Sequence, residues 1–200
     1  MRRRERPARA GTSWWAAAVV AALLLAPAAA AAGSWAPALV GSAGGTFAVL
    51  GEPNEGGASA ALAALWPVGE RLSFGVMVHG DDAGALVDSL RDDSGTALPV
   101  GKVELAHRAA WGVSWRLDAS APPRFGLTPT LSATWGVYRV VDDARGTELR
   151  HVGSTGWSVA AGARRGLGSH LDLGAYVRYH RLFNDLEGRF MSAGLEGSWR

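Results

Sequence analysis

Cysteine is absent from all 200 residues, which excludes a disulfide framework, thiolate catalysis and a lipid-modified N-terminal Cys. Lysine is nearly absent, with Lys102 the single example, whereas the outward face of a soluble β-barrel usually carries Lys, Glu and Asp. Past the N-terminal segment no apolar run approaches the roughly 18 residues that a membrane helix needs. If the chain crosses a membrane, strands must do it. The Gly-rich stretches "GSAGG" and "GARRGLG" lack the Lys-Ser/Thr of a phosphate-binding loop and a helical context, and they read as linker and turn.

What the chain does have begins at its N-terminus. Basic residues Arg2 to Arg9 precede an apolar run from Trp14 to Ala26, followed by Pro27 and an Ala tract. Basic, apolar and small-residue parts in that order predict a secretory signal peptide over residues 1–32, cleaved before Gly33; an uncleaved anchor helix is the alternative. Without those residues the formal charge moves from +2 to −2, so the mature chain has no electrostatic case for binding nucleic acid. The expected organisation is a signal peptide (1–32), a short linker (33–43) and one domain (44–200).

The stretch "ELAHRAAWGVSWRL" (104–117) decides the class of that domain. Wound as a helix it has no apolar stripe, because Glu104 falls between Trp111 and Trp115. Taken with period two, Leu105, His107, Ala109, Trp111, Val113, Trp115 and Leu117 separate from Glu104, Arg108, Ser114 and Arg116, the pattern of a strand. The alternation recurs at 125–138, 72–78, 157–163, 171–179 and 191–199, with weaker versions around Phe47 and Val49 and over 60–66. That gives eight strands. The links "PVGER", "DASAPP" and "RRGLGS" are compact. The others, including residues 80–103 with one possible helical turn at "ALVDSL", are polar and mostly longer. Short and long connections then occupy opposite rims.

Period two allows an apolar-in barrel of the lipocalin sort or an apolar-out barrel in lipid. Three features favour lipid. The aromatics gather toward strand ends: Trp66, Phe74, Trp115, Phe125 and Trp199 near the short turns, and Trp135, Trp157, Tyr179 and Phe183 near the long loops, as two interfacial girdles would. The other face is small and polar, suiting a narrow eight-stranded interior. The chain ends "FMSAGLEGSWR", an alternating strand whose last outward residue is Trp199. On strand number, turn alternation, girdles and terminal strand together, the mature chain resembles the small eight-stranded bacterial outer-membrane β-barrel proteins; Arg200 departs from the family's terminal aromatic. The resemblance implies an all-β, antiparallel up-and-down transmembrane barrel. It also implies a monomer with outer-membrane lipids and lipopolysaccharide as partners, and with the barrel-assembly machinery as a partner during biogenesis.

With the apolar face outward, Glu104, Arg108, Arg116, Arg124, Asp172, Arg178, His180 and Glu196 fall inside. Buried charges must pair, so they predict a salt-bridged plug closing the lumen; a polar ion path is the alternative. "YVRYHRLFND" (176–185) is similar in His180 and Asn184 to the His-x-Ser-Asn motif of outer-membrane lipid A 3-O-deacylases. Leu182 stands where that motif has its nucleophilic Ser, so no catalytic residue is assigned. No metal-ligand spacing is present: His79, His107 and His151 are far apart in sequence, and the pairs Asp81-Asp82, Asp92-Asp93 and Asp142-Asp143 read as loop charge. No cofactor is expected. The functional expectation is a passive envelope or surface-contact role. The rival readings are a lipid-modifying outer-membrane enzyme and a soluble periplasmic carrier.

Overall fold

The computed structural model describes residues 36–49, 56–91, 97–144, 147–183 and 188–200; the side chains of 48, 83, 85–91, 97–107, 143–144 and 147–151 fall outside that description, as does the expected signal peptide over 1–32. Eight strands, β1 (Ala38–Ala48), β2 (Gly57–Pro67), β3 (Leu72–Arg91), β4 (Ala97–Ser120), β5 (Thr128–Ala144), β6 (Thr147–Gly166), β7 (Leu171–Leu182) and β8 (Gly188–Trp199), follow one another in space and close into an antiparallel barrel. Closure comes from β1 pairing with β8, Leu39 opposite Trp199 through Ala48 opposite Phe190. Closure leaves the sheet without a free edge, so that each strand is paired on both sides.

The register sets the barrel's dimensions. A cross-strand path from Ala38 through Leu65, Gly75, Arg116, Thr134, Ser158, His180 and Phe190 returns to β1 at Ala48, ten residues beyond its start. With ~3.3 Å per residue and ~4.8 Å between strands, that stagger implies a strand tilt of about 40° and a backbone radius of about 8 Å, narrow enough for side chains to fill. Such a radius requires sharp local curvature. At the seam Gly44 faces Gly194, and a Cβ on Gly44 would lie 2.7 Å from the Gly194 Cα, so the two backbones approach only because neither has a side chain.

The two faces are inverted relative to a soluble protein. Val113, Trp115, Leu131, Trp135, Val137, Val177 and Leu195 are exposed on the outside, while Ser114, Arg116, Ser132, Thr134, Arg178 and Glu196 are buried within. The lipocalin-like alternative needs the opposite assignment. Inside, two apolar patches flank the polar middle: Val40, Ala61, Ala63, Leu65 and Met77 on one, and Ala110, Tyr138, Val140, Leu182 and Phe190 on the other.

Three sequence expectations are corrected. The first strand begins at Ala38, within the stretch assigned to a linker ending at 43, because Val40 and Ser42 already line the interior. Residues 80–91 and 97–103 are strand, and "ALVDSL" lies within β3: Ala85 pairs with His107, Leu86 with Ala106 and Arg91 with Ala97. β5 and β6 likewise continue to Ala144 and from Thr147 through the stretch read as a loop. There the strands are held by backbone pairing, which continues without the side-chain alternation that marks a strand in sequence.

Candidate functional site

Even-numbered positions of β4, β6, β7 and β8 point into the barrel, and their charges converge at one level. Arg116 places Nε 2.6 Å from Asp118 Oδ1 and Nη2 2.9 Å from Asp118 Oδ2, and it reaches Glu196 Oε2 at 2.8 Å. Arg164 donates from Nε to Glu196 Oε1 at 2.8 Å and from Nη2 to Asp118 Oδ2 at 3.0 Å and to Glu196 Oε1. Two guanidiniums and two carboxylates form a closed, neutral quartet across the lumen, and Arg116 is only 2% exposed. Its strength is mutual: each charge is hydrogen-bonded by two opposite ones, and Arg116, Asp118 and Glu196 are buried while Arg164 is partly exposed, the arrangement that offsets desolvation.

On the short-turn side of the quartet a cavity of about 600 Å³ is lined by Val40, Leu65, Asp118, Arg164, Asp172 and Arg200. Asp172 sits at this mouth, paired with Arg200 at 2.9 Å. The cavity is a vestibule that ends at the quartet.

On the other side lies a second polar group. His180 Nε2 shares a 3.0 Å hydrogen bond with Ser192 Oγ, and its Nδ1 is 3.9 Å from Asp81 Oδ2. The ring stacks on Phe190 with centroids 4.3 Å apart. Asp81 Oδ1 accepts from Ser59 Oγ at 2.6 Å. His79 stacks on Tyr138 at 4.6 Å, and the Arg178 guanidinium lies 4.9 Å from the Tyr176 ring centroid. Nε and Nη2 of Arg178, both His79 nitrogens and Asp81 Oδ2 have no protein hydrogen-bond partner; buried groups of this kind are ordinarily satisfied by internal water. Nearer the long hairpins, Arg108 forms a two-pronged pair with Asp142 at 2.7 and 2.9 Å.

The serine missing at position 182 is thus supplied from β8. Ser192, His180 and Asp81 stand in the order of a Ser–His–Asp relay, though the His–Asp separation exceeds a hydrogen bond. Ser192 is 0% exposed and His180 and Asp81 are 1% and 3% exposed, with Phe190 and Leu182 packed in the same interior. Among the described residues that hydroxyl is closed off from solvent. The three side chains anchor β3, β7 and β8 to one another.

Of the interior residues assigned from sequence, Arg108, Arg116, Arg178, His180 and Glu196 point inward, and Asp172 lines the mouth. Arg124 does not: it closes a tight turn by pairing with Leu127, and it is exposed beyond the barrel wall. The Glu104 side chain lies outside the described residues. Asp118 and Arg164 were missed, although each continues the parity of its strand; they had been assigned to turns. Asp81, read from sequence as loop charge, and His79, placed at the edge of that loop, are instead buried in the lumen, because β3 continues to Arg91.

The aromatics form two groups that meet. Trp66 lies opposite Phe74, and Trp199 stacks on His170 near the short turns; toward the long hairpins Trp157 packs on Tyr179 and Trp135 on Phe183. Trp115, assigned to the short-turn group, joins the two: it stacks on Phe74 and stands directly opposite Trp135, itself opposite Trp157. Strand tilt turns that cross-strand row into a ramp. Phe125 leaves the wall entirely, 97% exposed at the turn tip with φ of 52° beside Gly126 at 76°.

No protein-family model and no curated protein matches the sequence. Solved structures do. Neisserial surface protein A is 15% identical, with 81% of this chain and 94% of that one aligned at a TM-score of 0.58. The N-terminal β-barrel domain of Pseudomonas aeruginosa OprF is 11% identical over 80% of this chain and 95% of that one, TM-score 0.50. The outer membrane protein OprG from Pseudomonas aeruginosa is 9% identical over 84% and 98%, TM-score 0.50. The fold is that of the small eight-stranded outer-membrane β-barrels.

Proposed function

We propose that this chain is a monomeric barrel of a bacterial outer membrane, with its short turns toward the periplasm and its long hairpins outward, serving envelope structure or surface contact rather than catalysis or open transport. The observation that carries this reading is the pairing of a continuous apolar exterior, Val113, Leu131, Val137, Val177 and Leu195 among it, with a lumen crossed by a neutral charge quartet. Only lipid makes such an exterior favourable. A paired, buried quartet opposes ion flow, since opening it exposes uncompensated charge. The burial of Ser192 supports a non-enzymatic role.

Cell fractionation with gel mobility, unheated against boiled, tests the location. Recovery in the outer-membrane fraction with a heat-dependent shift is expected; a soluble periplasmic protein with one mobility would overturn it. Planar-bilayer recording tests the plug, for which a steady open conductance is the contrary result.

A further inference from the structure

We infer that the vestibule on the short-turn side of the quartet binds a neutral saccharide of one or two rings. The inference goes beyond the envelope role proposed above and does not rest on it. A cavity of about 600 Å³ has the size of a small-molecule site, and it is blind, because Asp118 and Arg164 of the quartet form part of its wall. Its mouth lies among the short turns, where Glu70 and Arg71 line it.

Charge on the walls selects against ions. Asp118 is matched by Arg164 at 3.0 Å within the neutral quartet, Asp172 is matched by Arg200 at 2.9 Å, and Glu70 and Arg71 are sequence neighbours of opposite sign. A ligand with net charge would lose hydration there and meet no spare charge of the other sign, a loss that a neutral polar ligand avoids. What the walls do offer is donors beside acceptors. The quartet uses Nε and Nη2 of Arg164, so Nη1 has no acceptor among the described residues. Asp118 Oδ1 takes one bond, from Arg116 Nε, and keeps a lone pair free. The hydroxyls of Ser73, Thr130 and Ser198 line the same cavity and make no hydrogen bond among the described residues. A sugar hydroxyl suits such a wall, because it donates to a carboxylate while accepting from an N–H or O–H, and the two bonds strengthen each other.

The other wall is apolar. β1 and β2 lie across the ring from β5 and β6, so Val40, Leu65 and Pro67 stand across the cavity from Thr130 and Arg164. A pyranose ring has the same division, with C–H groups on its faces and hydroxyls around its edge. Contact of a C–H face with the aliphatic wall adds dispersion to the hydrogen bonds made opposite.

The test folds the full barrel in phosphocholine micelles, which carry no sugar headgroup, and measures binding of maltose, its acid maltobionate and free glycine by calorimetry and saturation-transfer NMR. Saturable one-to-one binding of maltose is expected. It should weaken about tenfold in T130V/S198A, which removes two hydroxyls and leaves the quartet intact, and vanish in S73F, which fills part of the cavity. Unheated gel mobility checks that each variant is folded. Absence of saturable maltose binding, or undiminished binding in either folded variant, would overturn the site. Tighter binding of maltobionate or glycine than of maltose would assign the cavity to a charged solute and overturn the neutral saccharide.

Discussion

Glu196→Gln removes one charge from the quartet while nearly preserving shape. Glu196 accepts from Arg116 at 2.8 Å and from Arg164 Nε at 2.8 Å, and it is 5% exposed. After the change, two guanidiniums share the single carboxylate of Asp118, and a net positive charge remains in the lumen. Leaving a buried charge uncompensated typically costs 3–5 kcal/mol. The lower end, about 3 kcal/mol, applies because the Arg164 side chain is 12% exposed toward the vestibule and water screens it partly. Using a urea slope of about 2 kcal/mol per M, the folding midpoint measured by unheated gel mobility in phospholipid vesicles should fall by about 1.5 M. Adding Arg164→Gln restores neutrality, so the double variant should recover at least about half of the loss, the non-additivity expected of residues in one network. A shift below about 0.3 M for the single variant would refute the reasoning, since it would mean that the lumen is wet enough to solvate the spare charge.

Three further expectations use the same folding assay. Val113→Arg, on the outward face near the middle of β4, should cost about 2 to 4 kcal/mol in a bilayer, and equal stability of the variant would contradict a lipid-facing wall. Gly44→Val should lower stability by more than about 3 kcal/mol or prevent closure, because its Cβ would lie 2.7 Å from the Gly194 Cα across the β1–β8 seam; a tolerated substitution would show that the seam is looser than described. Phe125→Asn should raise stability by about 1 kcal/mol by relieving the left-handed backbone of the turn, and an unchanged or lower midpoint would show that the ring is held by something outside the barrel.

Strands were legible wherever two solvents act on one segment. β4 from Trp111 to Leu117 and β7 from Leu171 to Tyr179 alternate because one face meets the apolar phase and the other the polar lumen, and period two records that difference directly. Above Asp82 the alternation lapses and the end of β3 went unread, whereas before Thr128 the alternation of Phe125 and Leu127 runs on through residues that form a turn. The quartet was half visible. Arg116 and Glu196 followed from parity, whereas Asp118 and Arg164 sat in segments assigned to turns.

By itself the sequence determined the period, the number of strands and which side chains share a face, because those depend on local geometry and on the contrast between neighbours. The absence of Cys and the scarcity of Lys narrowed the class further. Which inward charge meets which was decided only by the tertiary structure. The ten-residue stagger brings Arg116 of β4 and Arg164 of β6 to Glu196 of β8, sets Ser192 against His180, and places Arg181 beside Arg189. Stagger is a property of the closed ring: it arises from fitting eight tilted strands around one axis, and no single strand encodes it.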